Sequence, residues 1–129
     1  MIEESRQHRV RARRLLKMVE ERWQQELPEI VAHTAYYAMY HAAIALLAKR
    51  ELSKPKTHSG LSARFSEYFR DVEPDGREQV RRLGRALERR LIADYDAVDT
   101  LGLDDARVAR DEAVLFVMFC ERLIDADAE

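Results

Sequence analysis

His33, Tyr36, Tyr37, Tyr40 and His41 fall within nine consecutive residues, interleaved with Thr34, Ala35, Ala38 and Met39. Imidazoles exchange protons near neutral pH, and phenols hydrogen-bond or stack on bases. Tyr36 and Tyr40 are four residues apart, as are His33, Tyr37 and His41, so each set occupies one stripe of a helix. The same spacing also describes ordinary core, and Met39 is read that way. A second group is Lys56-Thr57-His58-Ser59-Gly60. Lys56, His58 and the free N–H groups of a helix start could hold an anion. Simple capping by Thr57 or Ser59 accounts for the same residues. A third group follows six arginines between residues 77 and 90: Arg90 and Asp94 are spaced for an ion pair on one helix face, and Tyr95 comes next. The pair is either a helix-stabilising bridge or a polar site opening on a groove beside the tyrosine helix.

Other chemistries lack their residues. Gly60, Gly76, Gly84 and Gly102 never group into a phosphate-cradling loop. His33 and His41 stand about 12 Å apart along a helix and cannot share a metal ion from it, so no metal and no cofactor are expected. Cys120 has apolar neighbours, which disfavour a thiolate, and a single cysteine cannot close an internal disulfide.

The elements that must position these groups are helices. Ala12, Leu15, Leu16, Val19 and Trp23 repeat at helical spacing in a first helix over about residues 4–24. Arg9, Arg13, Arg14 and Lys17 lie mostly off that stripe, as a phosphate-binding face or a solvated surface. Pro28 suits the first turn of a second helix over about 28–51, which holds the tyrosines. Its middle carries so little charge that other helices must cover it. Pro55 ends any continuation, and a short third helix over about 59–70 buries Leu61, Phe65, Tyr68 and Phe69. Asp75 and Glu78 form a capping-box signal for a fourth helix over about 76–95. There Val80, Leu83, Leu87 and Leu91 make the expected buried stripe, with Arg81, Arg82, Arg85 and Arg89 opposite. A loop at 96–102 leads to a fifth helix over about 105–125, capped by Asp104 or Asp105. Its wide apolar face is Val108, Leu115, Phe116, Phe119, Cys120, Leu123 and Ile124. An acidic tail at about 125–129 is expected to fray.

The totals fit one all-α domain over residues 1–129, an up-and-down antiparallel bundle of four long helices and one short one. Hydrophobic residues make up 47% and charged residues 36% of the chain, and 4 Gly with 3 Pro are too few for a many-stranded sheet protein. Charge is polarised along the sequence: the arginine-rich segment 77–90 is followed by eleven acids against three arginines in residues 94–129. The arginine-rich start lacks the apolar stretch of a signal peptide, and the apolar runs read as too short to span a bilayer, so a cytoplasmic location is the expectation.

Three blocks resemble the HEPN family (higher eukaryotes and prokaryotes nucleotide-binding) in the family's order. They are Ala35-Tyr36-Tyr37-Ala38-Met39-Tyr40-His41-Ala42-Ala43, Lys56-Thr57-His58-Ser59-Gly60, and Arg89-Arg90-Leu91-Ile92-Ala93-Asp94-Tyr95-Asp96. The likeness is closest to small stand-alone prokaryotic HEPN proteins. It implies a helical bundle, frequently a homodimer, often paired with a minimal nucleotidyltransferase in two-component, toxin–antitoxin-like modules. Many such proteins are metal-independent endoribonucleases that use an Arg and a His a few residues apart. Arg89 matches that arginine, but Asp94 stands where the histidine is expected, which resembles a branch expected to bind rather than cut. The resemblance makes Arg89, Asp94 and His41 the candidates for any catalysis. It places Arg89, Arg90, Asp94 and Tyr95 at the rim of a nucleotide- or RNA-binding groove between the second and fourth helices. Tyr37 and His41 would face that groove, with Lys56 and His58 near its mouth. Two rivals are a ribonuclease toxin in which His41 or His58 replaces the missing histidine, and a non-catalytic structural or dimerisation module.

Overall fold

Helix propensity and apolar periodicity set the boundaries of five α-helices: α1 (Ile2–Arg22), α2 (Pro28–Lys49), α3 (His58–Phe69), α4 (Gly76–Tyr95) and α5 (Leu103–Ala126). The structure, a computed structural model, describes residues 2–95 and 100–126. Residues 96–99 of the expected loop and 127–129 of the expected fraying tail lie outside the described residues. Asp125, by contrast, is helical and ion-paired with Arg9.

Pro28 opens α2 within its first turn, where a missing N–H costs nothing. At the other end the helix stops short of the expected Glu51. Glu51 takes a left-handed φ of 56°, its N–H bonds to Ala48 O, and Leu52 N–H reaches back to Leu47 O at 2.9 Å. This is a Schellman closure with glutamate at the position glycine usually fills. Thr57 caps α3 by accepting from Gly60 N at 3.0 Å. Gly76 is required where α4 begins, because a Cβ there would stand 2.2 Å from Phe69 O. The expected caps differ at two starts. Glu78 turns to Arg81 and Arg85 instead of closing a capping box. Asp105 accepts from Gly102 N at 2.8 Å from inside α5, while Asp104 pairs with Arg107.

The core is built on α2, which packs against α1, α4 and α5, while α3 lies on α4. Ala35, Ala38, Ala42, Ala43 and Ala45 are buried and let neighbouring helices approach closely. Ser5 Oγ donates to Ala45 O at 2.7 Å across the α1–α2 contact. Leu16, Phe65, Phe69, Leu83 and Phe116 complete the interior, each contributing about 2 kcal/mol of apolar burial. By length and a mean hydropathy of 1.2, α2 is apolar enough to cross a membrane, contrary to the sequence expectation; but 67% of that window is buried in the bundle, as in a core helix. Cys120 is fully buried, and burial pushes its thiol pKa well up.

Two apolar faces differ from expectation. In α4 the buried positions are Gly76, Gln79, Leu83 and Ala86, whereas Leu91 is exposed and Val80 and Leu87 are half-buried. This turns Arg85 and Arg89 inward onto α5, where both donate to Glu112. In α5 Leu115 is exposed and Val108 half-buried, while Glu112 and Glu121 are buried. Glu121 receives Arg9 and Arg13 from α1. Arginine-rich helices thus meet α5 through paired charges, which is why two glutamates stand on its buried side.

Candidate functional site

The positions of the polar side chains follow from the helix register. α2 presents His33, Tyr37 and His41 along one stripe and Tyr36 and Tyr40 along the next. The Thr57 cap fixes the first residue of α3, His58, against this surface. The last turns of α4 bring Arg90 and Asp94 to it, and α1 adds His8. All four histidines of the chain therefore take part in one aromatic network.

At its centre Tyr36, only 1% exposed, lies 2.7 Å by its hydroxyl from His58 Nδ1. Burial raises the phenol's pKa, so it keeps its proton. His58 Nε2 lies 3.4 Å from the Tyr37 hydroxyl, so one neutral imidazole bridges two phenols, donating to one and accepting from the other. Burial first, and the charge of Arg90 second, hold the His58 pKa below the ordinary imidazole value. On the α1 side His8 and His41 meet through their Nδ1 atoms at 2.9 Å, which requires one to donate and the other to accept. Burial, with His8 and Arg11 adding to it, brings the His41 pKa down to about 4. These two rings and His58 are neutral at pH 7 and the Tyr36 phenol is un-ionised.

Arg90 is the cation of this face. Its guanidinium carbon stands 5.4 Å from the Tyr37 ring centroid and 5.9 Å from that of Tyr36, a cation–π arrangement. Its Nε lies 3.1 Å from Asp94 Oδ2 but is buried and not aligned for a hydrogen bond. The other Asp94 oxygen is 3.1 Å from His33 Nδ1. Arg90, Asp94 and His33 therefore form a chain with one carboxylate between a guanidinium and an imidazole. The terminal nitrogens of Arg90 make no hydrogen bond to any described residue. A guanidinium with unused donors, resting on aromatic rings, is suited to a phosphate oxygen.

The residues expected at the site divide. Arg90, Asp94, Tyr37 and His58 come together. Arg89 does not join them: its guanidinium is 13% exposed and bound to Glu112, because α4 is rotated relative to the expected stripe. His41 faces His8 on α1 instead of a space between α2 and α4. α2 and α4 pack against each other, and the Arg90 guanidinium lies against the Tyr36 and Tyr37 rings of α2. Lys56 is exposed, with no side-chain partner among the described residues, and Tyr95 is 74% exposed at the end of α4. His8 had no place in the sequence reading. Its signal was the series Ser5, His8, Ala12, which continues the buried stripe of α1 toward the N-terminus.

Among the described residues no three His, Cys, Asp or Glu side chains converge to hold a metal ion. No curated protein matches the chain. A family model described as HEPN domain matches residues 5–123, from the serine that ties α1 to α2 to the last turns of α5. With nearly its whole length matched, and with five packed helices carrying the three sequence blocks, the chain belongs to the HEPN domain family.

Proposed function

We propose that this HEPN domain binds a nucleotide or RNA through phosphate at the Arg90 face and does not cut it. The observation that carries the reading is the Arg90 guanidinium, seated on Tyr36 and Tyr37 with its terminal donors unused. An incoming phosphate competes with Asp94 for Arg90, and Asp94 keeps its contact with His33. Tyr37, half-buried, offers a ring edge to a base. Cleavage is disfavoured because Asp94 occupies the place of the motif's histidine, where its carboxyl group meets phosphate instead of an imidazole that would move a proton. Calorimetric titration with ATP and a short RNA tests this. Binding is expected to weaken about tenfold in Arg90→Gln, the loss of one charge-assisted contact. Unchanged binding in that variant removes the proposed site.

One observation favours a second reading, metal-independent RNA cleavage. Asp94 holds His33 by Nδ1, leaving Nε2 with no described partner beside Arg90. In this role His33, not His41 or His58, supplies the missing imidazole, since those two are engaged by His8 and by tyrosine hydroxyls. RNA cleavage in EDTA that disappears in His33→Gln establishes this reading; intact RNA retires it.

The two-component expectation, with a minimal nucleotidyltransferase as partner and a second copy of the chain, belongs to the same proposal. The exposed Leu91, Ile92 and Tyr95 near the end of α4 offer apolar surface for such contacts. Light scattering of the protein alone and with its partner measures both.

A further inference from the structure

The outer side of α4 carries a pattern that the bundle does not account for. Arg77, Arg81, Gly84, Glu88, Leu91 and Tyr95 recur at alternating intervals of four and three, the spacing of a helix face that meets another helix. Gly84 is half-buried and the other five are exposed. A glycine inside a helix destabilises it relative to alanine. At Gly76 the fold demands one, but at Gly84 an added Cβ would have a single neighbour, Ser62 Oγ at 3.9 Å, which is an ordinary contact. The chain alone has room for a side chain there. The space continues as an open groove of about 470 Å³ between α3 and α4, with Ser62, Ala63 and Ser66 along one side and Leu87 and Leu91 along the other.

Charge indicates what lies in the groove. Arg77 and Arg81, with Arg70 at the end of α3, make the N-terminal half of this face cationic, and their ion pairs to Asp71 and Glu78 are exposed and therefore weak. The C-terminal half carries Glu88, which has no ion-pair partner among the described residues, followed by exposed Leu91 and Tyr95. Such a face is complementary to its own reverse. With two copies antiparallel about an axis beside Gly84, Glu88 of each falls within one turn of Arg81 of the other. Leu91 falls within one turn of Val80, and Tyr95 within one turn of Arg77, where a guanidinium can rest on the ring. A parallel pairing would set arginine beside arginine and align the helix dipoles unfavourably.

From this we infer that the α3–α4 groove is filled by a second copy of the chain, the two α4 helices packing antiparallel about Gly84. The inference rests on the second-copy part of the proposed function, gives it a place, and stands apart from the phosphate reading of Arg90.

The test is sedimentation velocity of the full chain from roughly 1 to 100 μM, which brackets a micromolar Kd. Gly84→Gln fills the space at the axis and should weaken the dimer at least tenfold, while the melting temperature of dilute protein does not fall. Arg81→Glu and Glu88→Arg each set like charges across both symmetric contacts and should each weaken it about tenfold. Combined in one chain they exchange the signs, and the Kd should return to within about threefold of wild type. Lys17→Glu, which reverses an exposed charge on α1, should leave the Kd unchanged. A dimer indifferent to Gly84→Gln and to both single reversals overturns this seam and leaves the second copy to another face. Failure of the double reversal to recover what each single one loses overturns the antiparallel pairing. A chain that stays monomeric throughout removes both the seam and the second copy, and leaves nucleotide binding at Arg90 to be judged by its own titration.

Discussion

Arg89 and Arg90 are neighbours in sequence and belong to different parts of the molecule. On the α4–α5 seam, Arg85 and Arg89 converge on Glu112, and the Arg89 and Glu112 side chains are 13% and 10% exposed. On the α4–α2 face, Arg90 rests on two tyrosine rings, with one poorly aligned carboxylate and no other ion-pair partner among the described residues. A step of about 100° around the helix separates them. The seam meets its buried charges with complementary ones, as a structural network must. The face leaves donors unused beside neutral rings, as a binding surface does. The arginine that matches the family's motif is thus the one of the pair held by a buried carboxylate.

The sharpest way to break this comparison is to damage each side separately. Glu112→Ala leaves the buried Arg89 guanidinium without its carboxylate and the part-exposed Arg85 with Glu78 alone, and should cost about 3 kcal/mol in denaturant unfolding. Arg90→Gln should change stability by less than about 1 kcal/mol while weakening nucleotide binding about tenfold. If Glu112→Ala is neutral, or Arg90→Gln destabilises as strongly, the division between seam and face fails. Arg89→Gln is a poor probe of binding for the same reason: it disturbs the Glu112 network whether or not Arg89 touches a ligand.

The α1 side of the face adds a pH signature that the seam lacks. His41 titrates at about 4 when folded and near 6.5 when unfolded, so between those values the unfolded chain binds more protons. Stability is complete above pH 6.5 and is lost as the pH falls toward 4. His8, lowered by burial and by Lys54, acts in the same direction. After allowance for solvent screening of half-buried rings, the loss is about 1 kcal/mol. Melting curves at pH 7.5 and pH 5 should show this difference shrink in His8→Asn/His41→Gln. An unchanged difference would put the acid sensitivity elsewhere.

The helices were legible because propensity and periodicity are local. Pro28, Thr57 and the alanine-rich run marked α2 and α3 within a few residues. The face of α4 was not, because four leucine and valine positions outweighed Gln79 and Ala86 in any hydrophobic count. What decides the register is where Glu112 of α5 waits for Arg85 and Arg89, a contact 23 to 27 residues distant in sequence. The meeting of Arg90, Asp94, Tyr37 and His58 followed from the resemblance. The His8–His41 contact did not: the series Ser5, His8, Ala12 puts His8 on the inner side of α1, but its partner stands 33 positions away in sequence.

Asp94→Asn separates the ligand-binding account of the face from a purely structural one with a smaller effect. If the Arg90–Asp94–His33 chain exists only to hold helices together, neutralising its carboxylate lowers the melting temperature and leaves ligands indifferent. If Asp94 is the anion that phosphate must compete with, the change removes a repulsion and should tighten nucleotide binding about threefold, or roughly 0.7 kcal/mol. Its own cost should be below about 0.5 kcal/mol, because Asp94 and His33 are partly exposed and the contact to Arg90 is poorly aligned.

The smallest expected change lies away from both regions and shows whether stability and binding can be moved independently. Glu51 holds a φ of 56° to complete the closure of α2, a conformation that costs a residue with a side chain about 1 kcal/mol and glycine little. The backbone bonds from Glu51 N to Ala48 O and from Leu52 N to Leu47 O do not depend on the glutamate side chain. Glu51→Gly should therefore gain about 0.5 kcal/mol, the removed strain exceeding the added freedom of the unfolded chain. Affinity at the Arg90 face should stay at the wild-type value. A gain in stability that also tightens binding would mean that closing α2 helps to organise the tyrosine stripe, and the face could no longer be treated as a surface independent of the packing beneath it.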